Sequence, residues 1–262
     1  CFRCAATSRR APGPNVIAVG KENLFKAMRR LQFQGMATLA STDIGLDDAM
    51  TFACFASRTK YDPAKARELI EMSWNRSRER GTNSISAYAV DERGYAEGPS
   101  TIPSAGQTPY GFGFTDGGAL IVTEAFGGDI GKAAASSYAI AGPGELKPIS
   151  GSVGDGRSEV CWAAVTNDGR FVFVTNFGDC TISSYSIGED GDIQLAEAVA
   201  ASTRLGNAGI RDQAISSNGR FLYALDADAQ RVHGWSVGAD GRLAEIGAFE
   251  GVPPTVAGLA AS

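Results

Sequence analysis

Histidine, cysteine and long apolar runs are scarce in this sequence, and each shortage removes a class of function. One histidine, His233, stands among 262 residues, and no HxxxH pair exists. The five cysteines are Cys1, Cys4, Cys54, Cys161 and Cys180. An odd number in a chain of this length does not read as a disulfide framework. Cys1 and Cys4 have CxxC spacing, but a zinc site needs a second pair, which is missing. Cys161 and Cys180 fall in strand-like stretches and read as small apolar fillers. No run of 18 apolar residues occurs, so no membrane span is expected. G-x-S-x-G, P-loop and GxGxxG fingerprints are absent; GFGFTDGG reads as a strand and turn. No metal or organic cofactor is expected.

What is present suits a soluble globular chain: 44% hydrophobic and 20% charged residues, with 33 glycines. The sequence begins with Cys1, and Arg9 and Arg10 run into Pro-rich sequence, not the apolar core of a signal peptide. Charge divides the chain in two. Residues 1–80 hold 14 Lys and Arg against 8 Asp and Glu; residues 81–262 hold 10 against 21. The basic surplus is scattered and lacks interleaved aromatics, so it reads as solvated surface, with no nucleic-acid partner. Residues 21–32 read as a helix with Leu24, Met28 and Leu31 on one face. Residues 62–80 read as a second helix, capped by Asp62 with Pro63 in its first turn.

From Gly81 onward the sequence repeats. An aromatic ends a short strand and a polar Gly turn follows, at Tyr88, Tyr138, Tyr185 and Trp235, spaced by 50, 47 and 50 residues. A second marker is a turn before an apolar strand: TDGGALIVTEA, TNDGRFVFVTN and SSNGRFLYALD, with Gly117, Gly169 and Gly219 as the turn glycines. Each unit reads as a lead-in strand (PYGFGF, VCWAAV, RDQAIS), an Asp-Gly or Asn-Gly hairpin turn, an apolar strand, an aromatic-bearing strand and a last strand. Four strands in about 50 residues make a propeller blade, its second strand buried on both faces.

The segments DGRFVFVTN, AVAAST and TPYGFGF resemble the seven-bladed lactonase-like propeller family, which includes propeller-type 6-phosphogluconolactonases and carboxymuconate-lactonising enzymes. The resemblance covers about 180 residues. It implies a small-molecule lactone or sugar acid as ligand, hydrolysed near the central channel by charged residues including Arg, His and Glu. On that resemblance Glu124, at the end of ALIVTE, would act as base or water-positioner. Asn176 and Asp226 hold the equivalent place in the next two repeats and would join it in substrate binding. Arg157 and Arg211, just before lead-in strands, would clamp an anionic group. His233 lies in the aromatic-bearing strand and does not match the family's catalytic His. Propellers host many functions, so the alternative is a non-catalytic propeller that binds a protein or a glycan.

The expected architecture is all-β: a partial propeller of about 3.5 four-stranded blades over residues 81–262, and a smaller helical segment of unclear origin over 1–80. Propellers usually close with four to eight blades, and an open one exposes strand edges. Three arrangements answer this. The chain derives from a truncated or frame-shifted reading of a longer gene; it self-associates to complete the propeller; or residues 1–80 cap the open end.

Overall fold

The computed structural model describes residues 49–53, 68–75, 83–90, 96–142, 145–253 and 258–261. They form two compact units: Cys1–Ser104 with Ala139–Lys147, and Ala105–Tyr138 with Pro148–Ser262. The strands make four antiparallel sheets of four, each in chain order. The first holds β1 (Ala49–Ala53), β2 (Glu68–Asn75), β3 (Ser84–Val90) and β4 (Ala96–Pro103). The second holds β5 (Pro109–Phe114), β6 (Ala119–Glu124), β7 (Ala134–Gly142) and β8 (Glu145–Gly154). The third holds β9 (Val160–Val165), β10 (Phe171–Asn176), β11 (Thr181–Ile187) and β12 (Ile193–Ser202). The fourth holds β13 (Ile210–Ile215), β14 (Phe221–Asp226), β15 (Arg231–Val237) and β16 (Leu243–Glu250). The protein is thus all-β with propeller-type sheets. The repeated aromatics Tyr88, Tyr138, Tyr185 and Trp235 all fall on the third strand of their sheets.

In the first unit, β1–β4 pair as a meander, with Leu69 opposite Tyr88. This corrects the helix expected over 62–80. Within it, residues 68–75 are strand β2. ELIEMSWN is short, and its apolar residues satisfy a period of 2 as well as 3.6: Ile70, Met72 and Trp74 alternate. Pairing with β3 decides between them, as tertiary context commonly overrides local propensity. The helix expected over 21–32 lies outside the described residues.

In the second unit the apolar second strands are sealed between sheets. Ile121, Val172, Val174 and Tyr185 share one cluster; Phe173, Ile182, Leu222 and Trp235 share the next. Each first turn closes with a side-chain and glycine device. Thr166 Oγ1 donates to Asp168 Oδ1, and Ser216 Oγ to Asn218 Oδ1. The left-handed turn residues are Gly118, Gly169 and Gly219, with φ of 86°, 72° and 72°. In the first of these turns Gly118, not Gly117, takes that role, because its N–H closes the turn onto Thr115 O as Gly169 N–H does onto Thr166 O. Among the described residues no helix is long and apolar enough to cross a membrane.

Candidate functional site

Glu124, Asn176 and Asp226 end β6, β10 and β14, and all three are completely buried. Each is held by its own set of partners. Glu124 Oε1 accepts from Gly106 N–H at 2.7 Å and Ser136 Oγ at 2.7 Å, and its Oε2 accepts from Ser152 Oγ. Asn176 Nδ2 donates to Thr181 Oγ1 at 3.2 Å and Ser183 Oγ at 2.8 Å. Asp226 accepts Nε and Nη2 of Arg204 at 2.8 and 2.9 Å, Thr203 Oγ1 at 2.8 Å and Ala229 N–H at 3.0 Å. Burial pushes the Asp226 carboxyl up, but the bonds from Arg204, Ala229 and Thr203 outweigh it and hold it below the ordinary value. In this geometry the three residues brace strand ends and their connections.

Beside these braces the lead-in strands β5, β9 and β13 begin in the same way three times. First comes a residue at positive φ: Thr108 and Glu159 at 54°, Gly209 at 141°. Its carbonyl accepts the N–H just past the second strand, from Ala125, Phe177 and Ala227 at 2.9, 2.9 and 3.0 Å. A β-branched Thr in that conformation costs of order 1–3 kcal/mol, so the surrounding contacts must impose it. Next comes a register shift, between the Pro109 and Phe112 pairs, the Val160 and Ala163 pairs, and the Ile210 and Asp212 pairs. A bulge re-aims side chains and collects near functional sites. Thr123 and Thr175 fill two of these bulges. Thr123 Oγ1 takes the N–H of Gly111 at 2.8 Å and donates to Cys161 O at 2.7 Å; Thr175 Oγ1 takes the N–H of Trp162 at 3.1 Å.

The residues at the bulges are Tyr110, Cys161–Trp162 and Arg211–Asp212. Tyr110 meets Trp162 edge-on, ring centres 6.0 Å apart. Burial, then the charges of Glu159 and Asp212, push the Cys161 thiol up to about 12. It is no thiolate nucleophile at neutral pH. Burial pushes the Asp212 carboxyl up to about 6, although it accepts the N–H groups of Leu259 at 2.7 Å and Gln213 at 2.8 Å. Arg211 is exposed; its guanidinium lies 5.6 Å from the Phe177 ring centre and 3.4 Å from Asp228 Oδ1. Arg157 Nη1 is 3.6 Å from Asp179 Oδ2. Both arginines stand at the same strand ends as the braces, in looser ion pairs than Arg204 makes.

Asp212 and Arg204 are the residues that the repeat pattern did not single out. The signal for Asp212 was present: two charges open its lead-in strand, where the other repeats have Tyr-Gly and Cys-Trp. His233 is buried on β15 and stacked on Trp235, ring centres 6.0 Å apart. Among the described residues no three His, Cys, Asp or Glu gather to hold a metal.

Residues 125–208 match the family model for the seven-bladed β-propeller lactonases. No curated protein matches the chain. Among solved structures, a functionally unknown protein from Desulfotomaculum acetoxidans superimposes with a TM-score of 0.58 at 14% identity, over 84% of this chain and 62% of that one. The periplasmic gluconolactonase of Pseudomonas aeruginosa gives 0.57 at 17% identity, over 73% and 56%. A Lactobacillus plantarum protein gives 0.55 at 17%, over 71% and 53%. The chain therefore spans less than two thirds of the length of each of these structures. In sequence over residues 125–208, and in fold, this chain is similar to the lactonase-like seven-bladed β-propeller family.

Proposed function

We propose that the bulged starts of β5, β9 and β13 bind a small sugar or organic-acid lactone and open it by hydrolysis, in the manner of a 6-phosphogluconolactonase. The observation that carries this reading is Asp212. It is a carboxylate on an innermost strand, next to Arg211, with its pKa raised to about 6. A base poised there takes a proton near neutrality while staying ionised enough to act. In this reading Asp212 deprotonates a water that adds to the lactone carbonyl. Arg211 steadies the developing oxyanion, the ring C–O bond breaks, and the proton passes to the alkoxide. Arg157 holds an anionic substituent. Glu124, Asn176 and Asp226 position the loops without touching the reacting atoms.

The test is hydrolysis of glucono-δ-lactone and its 6-phosphate, followed in a pH-stat. Asp212→Asn is expected to lower kcat by roughly 10²–10⁴-fold. Wild-type turnover should rise as pH passes through about 6, because the base must be ionised. Glu124→Gln should leave kcat nearly unchanged. A wild-type chain that fails to accelerate hydrolysis, or an Asp212→Asn variant with full turnover, refutes the proposal. One observation favours the non-catalytic alternative, a protein partner. Ile130 and Leu205, on connections at these same strand ends, are 91% and 63% exposed.

A further inference from the structure

One place past the bulge, the lead-in strands β5, β9 and β13 carry Phe112, Ala163 and Gln213. The first two are apolar; the third is an amide. Gln213 is 6% exposed, and its side chain leaves its own sheet. Its Nε2 donates to Trp162 O on β9 at 3.0 Å and to Phe173 O on β10 at 2.6 Å. Two carbonyl acceptors fix which end of the amide is the nitrogen. Among the described residues, nothing donates to the buried Oε1. An acceptor left in that state costs stability. An apolar residue, as in the two sister strands, would avoid the cost, so packing alone does not account for Gln213.

Trp162 O is a carbonyl that the β9 bulge takes out of register. Cys161 and Trp162 lie between the Val174–Ala163 and Asn176–Val160 pairs, facing Thr175. Thr175 Oγ1 takes the Trp162 N–H from within the third sheet, and Gln213 takes the carbonyl from the fourth. In the second sheet Thr123 Oγ1 meets both the N–H and the carbonyl of Gly111, at 2.8 and 3.1 Å. The β9 bulge is thus closed by two sheets together. From the same residue the backbone N–H donates to Asp212 Oδ1 at 2.8 Å, while Leu259 N–H takes Oδ2 at 2.7 Å. A clamped amide fixes the direction of the Gln213 N–H. Around the carboxyl stand Arg211 in the same strand, which pairs with Asp228 at 3.4 Å, and Glu159 and the Cys161 thiol at the start of β9. Leu259 brings no titratable side chain.

We propose that Gln213 is a positioning residue for Asp212: by tying β13 to the β9 bulge, it holds the carboxyl in one orientation and keeps an N–H on Oδ1. The inference rests on the reading of Asp212 as the base and adds what sets that base. Gln213 itself touches no reacting atom. An N–H bond to the ionised carboxyl favours the charged form and opposes the effect of burial. Loosening that bond in a site that stays dry therefore pushes the Asp212 pKa up.

The test is Gln213→Met in the full chain, which keeps length and packing but removes both donors. Turnover of glucono-δ-lactone should fall in kcat by roughly 10–100-fold with KM nearly unchanged, and the pH midpoint of kcat/KM should move upward. Carbon NMR of the Asp212 carboxyl should show the same upward move with no substrate present. Gly241→Ala, at the other end of the fourth sheet, controls for lost stability and should leave the midpoint in place. Should Gln213→Met fail to fold, Gln213→Ala installs the residue that β9 carries at this place, and kcat should fall at least as far. An NMR midpoint that stays or falls in Gln213→Met, or full turnover in either folded variant, overturns the proposal. A wild-type chain without lactonase activity overturns the reading of Asp212 as base instead, and the NMR midpoint still decides whether Gln213 sets that carboxyl.

Discussion

Removing Arg204 should destabilise the second unit by about 3 kcal/mol at neutral pH, and by more than neutralising its partner Asp226 does. Asp226 is wholly buried, whereas the Arg204 side chain is 35% exposed. Arg204→Ala strips the two guanidinium bonds, at 2.8 and 2.9 Å, and leaves a buried carboxylate held by Thr203, Ala229 and the weak Cys180 thiol donor at 3.8 Å. An uncompensated buried charge costs roughly 3–5 kcal/mol, and water entering the space vacated by Arg204 favours the low end. Asp226→Asn keeps one acceptor oxygen and leaves a guanidinium that water reaches, so it should cost only about 1–2 kcal/mol. Urea unfolding followed by the fluorescence of Trp162 and Trp235 measures both. At roughly 2–4 °C per kcal/mol for a chain of this size, Arg204→Ala should lower Tm by about 6–12 °C. The sign of the pH dependence follows from the lowered Asp226 pKa. The stability it contributes is present above its unfolded value of 3.8 and is lost as pH falls through the folded one. In Arg204→Ala that acid-side loss should shrink. A loss below about 1 kcal/mol, or an Asp226→Asn variant less stable than Arg204→Ala, would refute the view of this pair as a buried brace.

Asp212 should behave in the opposite sense. Its raised pKa means the fold prefers it protonated, a preference fully expressed below 3.8 and lost as pH rises through about 6. Asp212→Asn should therefore raise stability at pH 7 by up to about 3 kcal/mol, with the gain vanishing near pH 4, as urea midpoints across pH will show. His233 is shifted down, first by burial, with Asp226 and Glu245 opposing and Arg231 and Arg204 assisting. Stability tied to its neutral form is present above 6.5 and lost as pH falls, so His233→Phe should flatten the slope of Tm below that pH. Gly241→Ala should cost about 1–3 kcal/mol, since its φ of 79° disfavours a side chain and the new Cβ would strike the Phe171 ring. Differential scanning calorimetry resolves that change.

The repeat made the sheets legible because its markers serve backbone needs that recur in every copy: a glycine for a left-handed turn, and an aromatic to fill the space between sheets. Tyr138, Tyr185 and Trp235 could be placed on third strands from spacing alone. Residues 68–75 could not be read this way, because eight residues fit both helical and strand periods and the deciding force, pairing with β3, is non-local. The roles of the strand-end residues are ambiguous in the sequence for a related reason. Glu124, Asn176 and Asp226 occupy one repeat position, and a polar residue at a strand end reads equally as a lining group or as a brace. What separates the two readings is where the donors are. Ser136 and Ser183 stand two residues before their aromatics, and Thr203–Arg204 stands just past β12. Those pairings cross from one strand to another, and no periodicity within a single strand carries them. The bulges are more hidden still, since two residues opposing one is a property of register. Thr123 and Thr175 are their only sequence trace, hydroxyls set in otherwise apolar second strands. In the fourth sheet the equivalent residue is Leu225, so that bulge has no hydroxyl to fill it. There Arg211 and Asp212 stand at the displaced positions, the one lead-in strand of the three whose bulge carries charge. That substitution of charge for packing is the physical reason to look for chemistry at β13, and not at the braced carboxylate that ends β6.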